Sequence, residues 1–167
     1  SIAKKPVVED SDDNPDEPAS PVPELPKPPA SVSLNNIATM HFDKPAFTAS
    51  VDQSLTLQVQ AEGLSDVTTL SFELLYDANL LEFSDAGFNG RASDESTIES
   101  KAKNGILRVQ IQLDESKDPQ DSESLLTLNL KGIKPGVAYL VFKTPTLYRN
   151  DGEQTYARVR AARVTVQ

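Results

Sequence analysis

The sequence predicts an all-β fold, a two-sheet jelly-roll or Greek-key sandwich of about nine strands. A disordered, acidic and proline-rich segment is expected ahead of it. Three observations carry this. Several segments alternate apolar and polar residues, as a strand with one buried face must. Gly- and Pro-containing turn signals separate those segments at short intervals. No segment sustains a helical repeat, so helices should be scarce.

Residues 1–32 are read as a linker. They hold eight of the twelve prolines (Pro6, Pro15, Pro18, Pro21, Pro23, Pro26, Pro28, Pro29) and, up to residue 31, seven acids against three lysines. So few apolar groups cannot offset the entropy of ordering the chain. The run Pro21–Pro29 favours extended polyproline II, a semi-rigid spacer. Its Pro23-Glu24-Leu25-Pro26 string reads as part of that spacer rather than as a docking motif. Asp12, Asn14 and Asp16 have the spacing that opens a calcium loop. The loop fails because Glu17 stands where Gly is needed and Pro23 where Glu is needed.

From residue 33 to 167 the texture changes to that of one domain with its own core. Strands are expected near 37–42, 55–61, 68–76, 80–84, 95–100, 105–113, 124–132, 137–143, 146–149 and 155–166. Leu55, Leu57, Val59 and Ala61 point one way, Thr56, Gln58 and Gln60 the other. Leu107, Val109, Ile111 and Leu113 alternate with Arg108, Gln110 and Gln112; Leu126, Leu128 and Leu130 alternate with Thr127 and Asn129. A turn is expected over Ala78–Leu81 and a short helix near Asp85–Gly90. Lys103-Asn104-Gly105, Lys134-Pro135-Gly136 and Asn150-Asp151-Gly152 suit tight reversals.

Composition removes several classes of function. The net charge is -9, from 25 acidic and 16 basic residues. That balance argues against nucleic acid as a partner, since its binders carry a clustered basic footprint. There is no Cys, hence no disulfide, thiolate metal site or cysteine nucleophile, and no Trp, so the core should be aliphatic. No apolar run approaches the roughly 20 residues of a membrane helix, so direct membrane insertion is not expected. The chain begins with Ser rather than Met and is read as a processed chain or a piece of a longer one.

The most informative stretch is Leu70-Ser71-Phe72-Glu73-Leu74-Leu75-Tyr76-Asp77-Ala78-Asn79-Leu80-Leu81-Glu82-Phe83. An alternating strand enters a Tyr-Asp-Ala-Asn turn and a second apolar segment follows. It resembles the cohesin family of bacterial β-sandwiches, whose third strand commonly ends in Tyr-Asp-Pro-x-x-Leu. Leu125–Gly136, Val137–Phe142 and Ala162–Val166 are similar to later strands of that family, so the resemblance spans about residues 37–167. Ala78 departs from the usual Pro, which relaxes the turn. Leu75 stands where a polar residue is usual, making an outward position apolar.

The resemblance implies a binding module. Cohesins of cellulosome scaffolds bind dockerin modules, and cohesin-like domains also occur in envelope proteins, including secretion and pilus secretins. It further implies a partner face built from the third, fifth, sixth and eighth strands. Carried onto this chain, that face holds Ser71, Glu73, Leu75, Arg108, Gln110, Gln112, Tyr139 and Val141. The expected function is non-enzymatic protein–protein interaction or assembly in an exported protein, in the envelope or outside the cell. A dockerin-like module or an envelope or secretion component is the expected partner. Carbohydrate or matrix binding is the alternative, with Tyr148 and Tyr156 its best stacking groups, and a purely structural spacer is a third reading.

Other chemistry finds little support. His41 is the single histidine, with neither a Gly-x-Ser-x-Gly nucleophile turn nor further His or Cys ligands. Asp94, Glu95 and Glu99, and the 114–123 acids, lack the aromatic-walled cleft of a glycosidase pair. No cofactor is expected. Calcium held by Asp114, Asp118 and Asp121 is the one metal reading left open.

Overall fold

The computed structural model describes residues 37–167. The linker expected over residues 1–32, with its PxxP string and rejected calcium loop, lies outside the described residues. Among the described residues twelve strands form two sheets. They are β1 (Thr39–Phe42), β2 (Ala46–Ala49), β3 (Ser54–Glu62), β4 (Val67–Leu75), β5 (Leu81–Phe88) and β6 (Thr97–Lys101). There follow β7 (Ile106–Gln112), β8 (Ser122–Gly132), β9 (Gly136–Arg149), β10 (Gln154–Tyr156), β11 (Arg158–Val159) and β12 (Ala162–Val166). One 3-10 turn, Ala102–Asn104, precedes Gly105.

The seven-stranded sheet runs β2-β12-β9-β4-β7-β6, with β10 added beside β9. The five-stranded sheet runs β11-β1-β3-β8-β5. Most neighbours are antiparallel, but β12 pairs parallel with β2 and β11 parallel with β1. The alternation seen in sequence becomes the two faces of these strands. Leu70, Phe72 and Leu74 of β4, Leu107, Val109 and Ile111 of β7, and Leu126, Leu128 and Leu130 of β8 are buried. Leu125 is buried as well, beside a register shift between Val59 and Gln60 that breaks the strict period of β8. The core is mainly aliphatic, with Phe47 and Tyr76 also buried in it and an aromatic seam where Phe42 stacks on Phe142 at 4.7 Å and Phe72 meets Phe142 edge-on at 5.4 Å.

Four expectations change. The helix near Asp85–Gly90 is absent, because β5 continues through it to Phe88; a register shift between Phe83 and Asp85 had scrambled the alternation. β2 is an extra strand, hidden in sequence by its four-residue length behind Pro45. The segments at 137–143 and 146–149 are one strand, β9, bulged between Lys143 and Thr146. The segment 155–166 is three pieces: β10 on the seven-stranded sheet, β11 on the other, and β12 back on the first.

Candidate functional site

Each sheet has one face turned away from the core, and the two differ in chemistry. On the five-stranded sheet the outward side chains are mostly polar, and several are bonded to one another. Thr56 donates to Asn129 at 2.7 Å, Ser124 to Gln58 at 2.9 Å, and Asn89 to Thr127 at 2.7 Å. Several of that face's polar groups are thus bonded across neighbouring strands.

The outward face of the seven-stranded sheet is built in rows, because residues paired across strands share a side. Val141, Leu75 and Ile106 form an apolar row across β9, β4 and β7, ending on Lys101 of β6. The next row alternates in sign, Lys143, Glu73, Arg108 and Glu99. Within it the Arg108 guanidinium donates to Glu73 at 2.8 Å. That hydrogen bond and the Glu73 charge hold Arg108 above its ordinary pKa. A third row is hydroxyl and amide: Thr146, Ser71, Gln110 and Thr97. Gln112 lies opposite Thr69 one row on.

Beyond the apolar row, Tyr139 sits opposite Arg163, and Val137 opposite Thr165. Tyr139 is 57% exposed, Val137 54% and Val141 39%. All eight positions carried over from the resemblance therefore lie on one face, with Ser71, Glu73, Leu75 and Gln112 half-buried rather than open. Ile106, Lys143 and Glu99 were not singled out. Extending the alternation of β7 and β9 by one step would have found the first two.

The bulge in β9 shapes this face further. Thr144 takes φ +50, a left-handed conformation costly for a β-branched residue. It lines a shallow depression of about 310 Å³ together with Ser71, Glu73, Thr97, Glu99, Arg108 and Gln110.

A model of the cohesin domain matches residues 40–158, more than half of the chain. The chain belongs to the cohesin family. Solved cohesins share its fold at low identity. The OlpA cohesin of Clostridium thermocellum, solved as a type I cohesin–dockerin complex, superposes with a TM-score of 0.68 at 12% identity, over 79% of this chain and 100% of that one. The cohesin module of a family 33 glycoside hydrolase from Clostridium perfringens gives 0.66 at 13%, over 79% and 98%. A non-cellulosomal cohesin from the archaeon Archaeoglobus fulgidus gives 0.63 at 18%, over 78% and 91%. A comparison with curated proteins finds no match.

The acids from the calcium reading lie apart in this cohesin domain. Asp114, Asp118 and Asp121 are not gathered, and no group of three or more His, Cys, Asp or Glu among the described residues is placed to hold a metal. The Asp114 carboxylate instead accepts from the Ser116 hydroxyl at 2.6 Å and its N–H at 3.0 Å, closing a local turn. Those bonds and nearby Lys117 hold its pKa below the usual carboxylate value. His41 is half-buried on β1, donating through Nδ1 to the Phe42 carbonyl at 3.0 Å, with Nε2 3.5 Å from Glu62. Tyr148 and Tyr156 flank the turn at residues 150–153. They stand on the hairpin of β9 and β10, whose outward side continues the face that holds Tyr139. No helix among the described residues is long and apolar enough to cross a membrane.

Proposed function

We propose that this cohesin domain is a non-catalytic protein-binding module of an exported bacterial envelope or extracellular protein. Its partner is a dockerin-like module or an envelope or secretion component, held by the outward face of the seven-stranded sheet. The observation that carries this reading is the asymmetry of the two outward faces. One is mostly polar, with several side chains bonded across strands; the other presents Val137, Tyr139 and Val141 to solvent beside half-buried Leu75 and Ile106. An apolar centre flanked by charges and amides has the composition of a protein interface. Tyr139 and Arg108 are the residue types that anchor such surfaces. Burying the apolar row supplies affinity, while the Lys143, Glu73, Arg108 and Glu99 row sets orientation through alternating charge.

The test is a pull-down from envelope and secreted fractions of the source cell, with the full chain as bait. It is run beside a Tyr139→Glu, Val141→Glu variant whose circular dichroism and Tm match the parent. A protein held by the parent and lost with the variant supports the reading. Equal retention moves the interface off this face, and an empty pull-down from both favours the structural spacer.

A second reading, carbohydrate or matrix binding, is favoured by Tyr148 and Tyr156, 40% and 67% exposed on one side of the same hairpin. Glycan-array binding that survives Tyr139→Glu and is lost in Tyr148→Ala, Tyr156→Ala would replace the protein-partner reading.

A further inference from the structure

The row of Lys143, Glu73, Arg108 and Glu99 is complementary to itself. Read from β9 to β6, its charges run plus, minus, plus, minus. Arg108 and Glu73 at its centre are already bonded at 2.8 Å. Lys143 and Glu99 at its ends are exposed and join no ion pair among the described residues. They are opposite in sign but three strand spacings apart, about 14 Å, too far to meet within one domain. The row sums to zero in a chain of net charge -9.

A second copy laid face to face on the first is related to it by a two-fold axis lying between the sheets. With that axis parallel to the strands, midway between β4 and β7, each row meets itself reversed. Lys143 then faces Glu99 of the second copy and Glu73 faces Arg108, and each contact occurs twice. The two central ion pairs close a square of alternating charge, and the spare charges at the row ends find partners. The apolar row behaves likewise: Leu75 covers Ile106, and the Lys101 stem covers Val141. The hydroxyl and amide row sets Ser71 against Gln110 and Thr146 against Thr97. Turning the axis across the strands would instead set every charge of the row against its own like, which repels.

We propose that the free module pairs through this face with a second copy of itself, as a weak two-fold dimer with its axis along the strands. The apolar row at its centre supplies affinity, and the charged row fixes its orientation. A footprint of four strands by three rows is about 400 Å² per copy, half of the roughly 800 Å² of a stable complex. The dimer therefore forms and parts readily. The charge of the whole chain opposes approach from afar, but at about 0.15 M salt its reach is only about 8 Å. One consequence rests on the function proposed above: a partner on this face and a second copy exclude one another, so the dimer guards the apolar row until a partner displaces it.

Sedimentation velocity of the full chain at about 0.15 M salt, from about 0.01 to 1 mM protein, tests this. The parent should sediment faster as concentration rises, and amide NMR shifts over the same range should fall on β4, β6, β7 and β9. Lys143→Glu puts two like-charge contacts into the row, and so does Glu99→Lys. Each should weaken association at least about tenfold with the circular dichroism of the parent. Mixing these two variants makes all four contacts opposite in sign, so the mixture should associate where neither variant does alone. The double variant Lys143→Glu, Glu99→Lys should pair with itself again. A parent monomeric at every concentration overturns the inference, as does association that survives either reversal or a mixture no better than its parts. The pull-down keeps the two readings apart. A partner lost with Tyr139→Glu, Val141→Glu while the parent stays monomeric removes only the dimer; a charge-dependent dimer whose partner is retained by that variant removes only the partner face.

Discussion

Arg91 and Glu123 meet inside the protein, 6% and 5% exposed, through two bonds of 2.7 and 2.9 Å. Arg91 also donates to the Leu64 carbonyl at 3.1 Å, so one guanidinium ties β8 to two loops. Removing one partner strands the other charge in a dry site. Arg91→Met alone should therefore cost about 3–5 kcal/mol in urea unfolding, while Arg91→Met with Glu123→Leu should recover most of that loss. Gly105 is equally specific. Its φ is +65, and a Cβ there would run into the Tyr76 carbonyl. Gly105→Ala should lower stability by at least about 1–3 kcal/mol, read from thermal melts. Asp114 gives a pH prediction. A carboxyl whose folded pKa is depressed adds stability above its unfolded value, and that contribution fades as pH falls through the folded one. Carbon-detected NMR should place its midpoint below the ordinary 3.8, and Ser116→Ala should move it upward.

Among the elements, the strands legible in sequence were those with an uninterrupted period of two. β3 and β7 hold that period along their whole length and β4 holds it from Leu70 to Leu75, so both their existence and their facing could be read. That pattern gives the facing of Glu73 and Leu75, of Arg108 and Gln110, and of Tyr139 and Val141 within their own strands, while the resemblance is what joins the three strands into one face. Bulges defeated the rule elsewhere. The shift at Phe83 and Asp85 made an edge strand look like a short helix, and Thr144-Pro145 made one long strand look like two. The sign-alternating row was not legible at all, since it needs the register of four strands rather than the pattern of any one. The bulge also carries a prediction. Thr144→Gly removes the left-handed penalty at φ +50 and should raise stability by up to about 1 kcal/mol, as a higher Tm with an unchanged circular dichroism spectrum.

At the scale of the whole molecule, the chain closes both sheets with its last segment. β11 lies along β1 in one sheet and β12 along β2 in the other, each pair parallel. β12 is also held on its other side by antiparallel β9. Amide hydrogen exchange should show the slowest exchange in β3, β4, β7, β8 and β9, which lie inside their sheets, and faster exchange at the edges β6 and β11. The closing arrangement has a mechanical meaning. A pull between residue 37 and residue 167 acts along β1 and β12 rather than across them. The hydrogen bonds of β12 to both neighbours then share the load together, instead of opening one after another as in a peeled hairpin. A module gripped by a partner and hauled by its chain would thus resist in shear, the direction in which a sheet is hardest to tear.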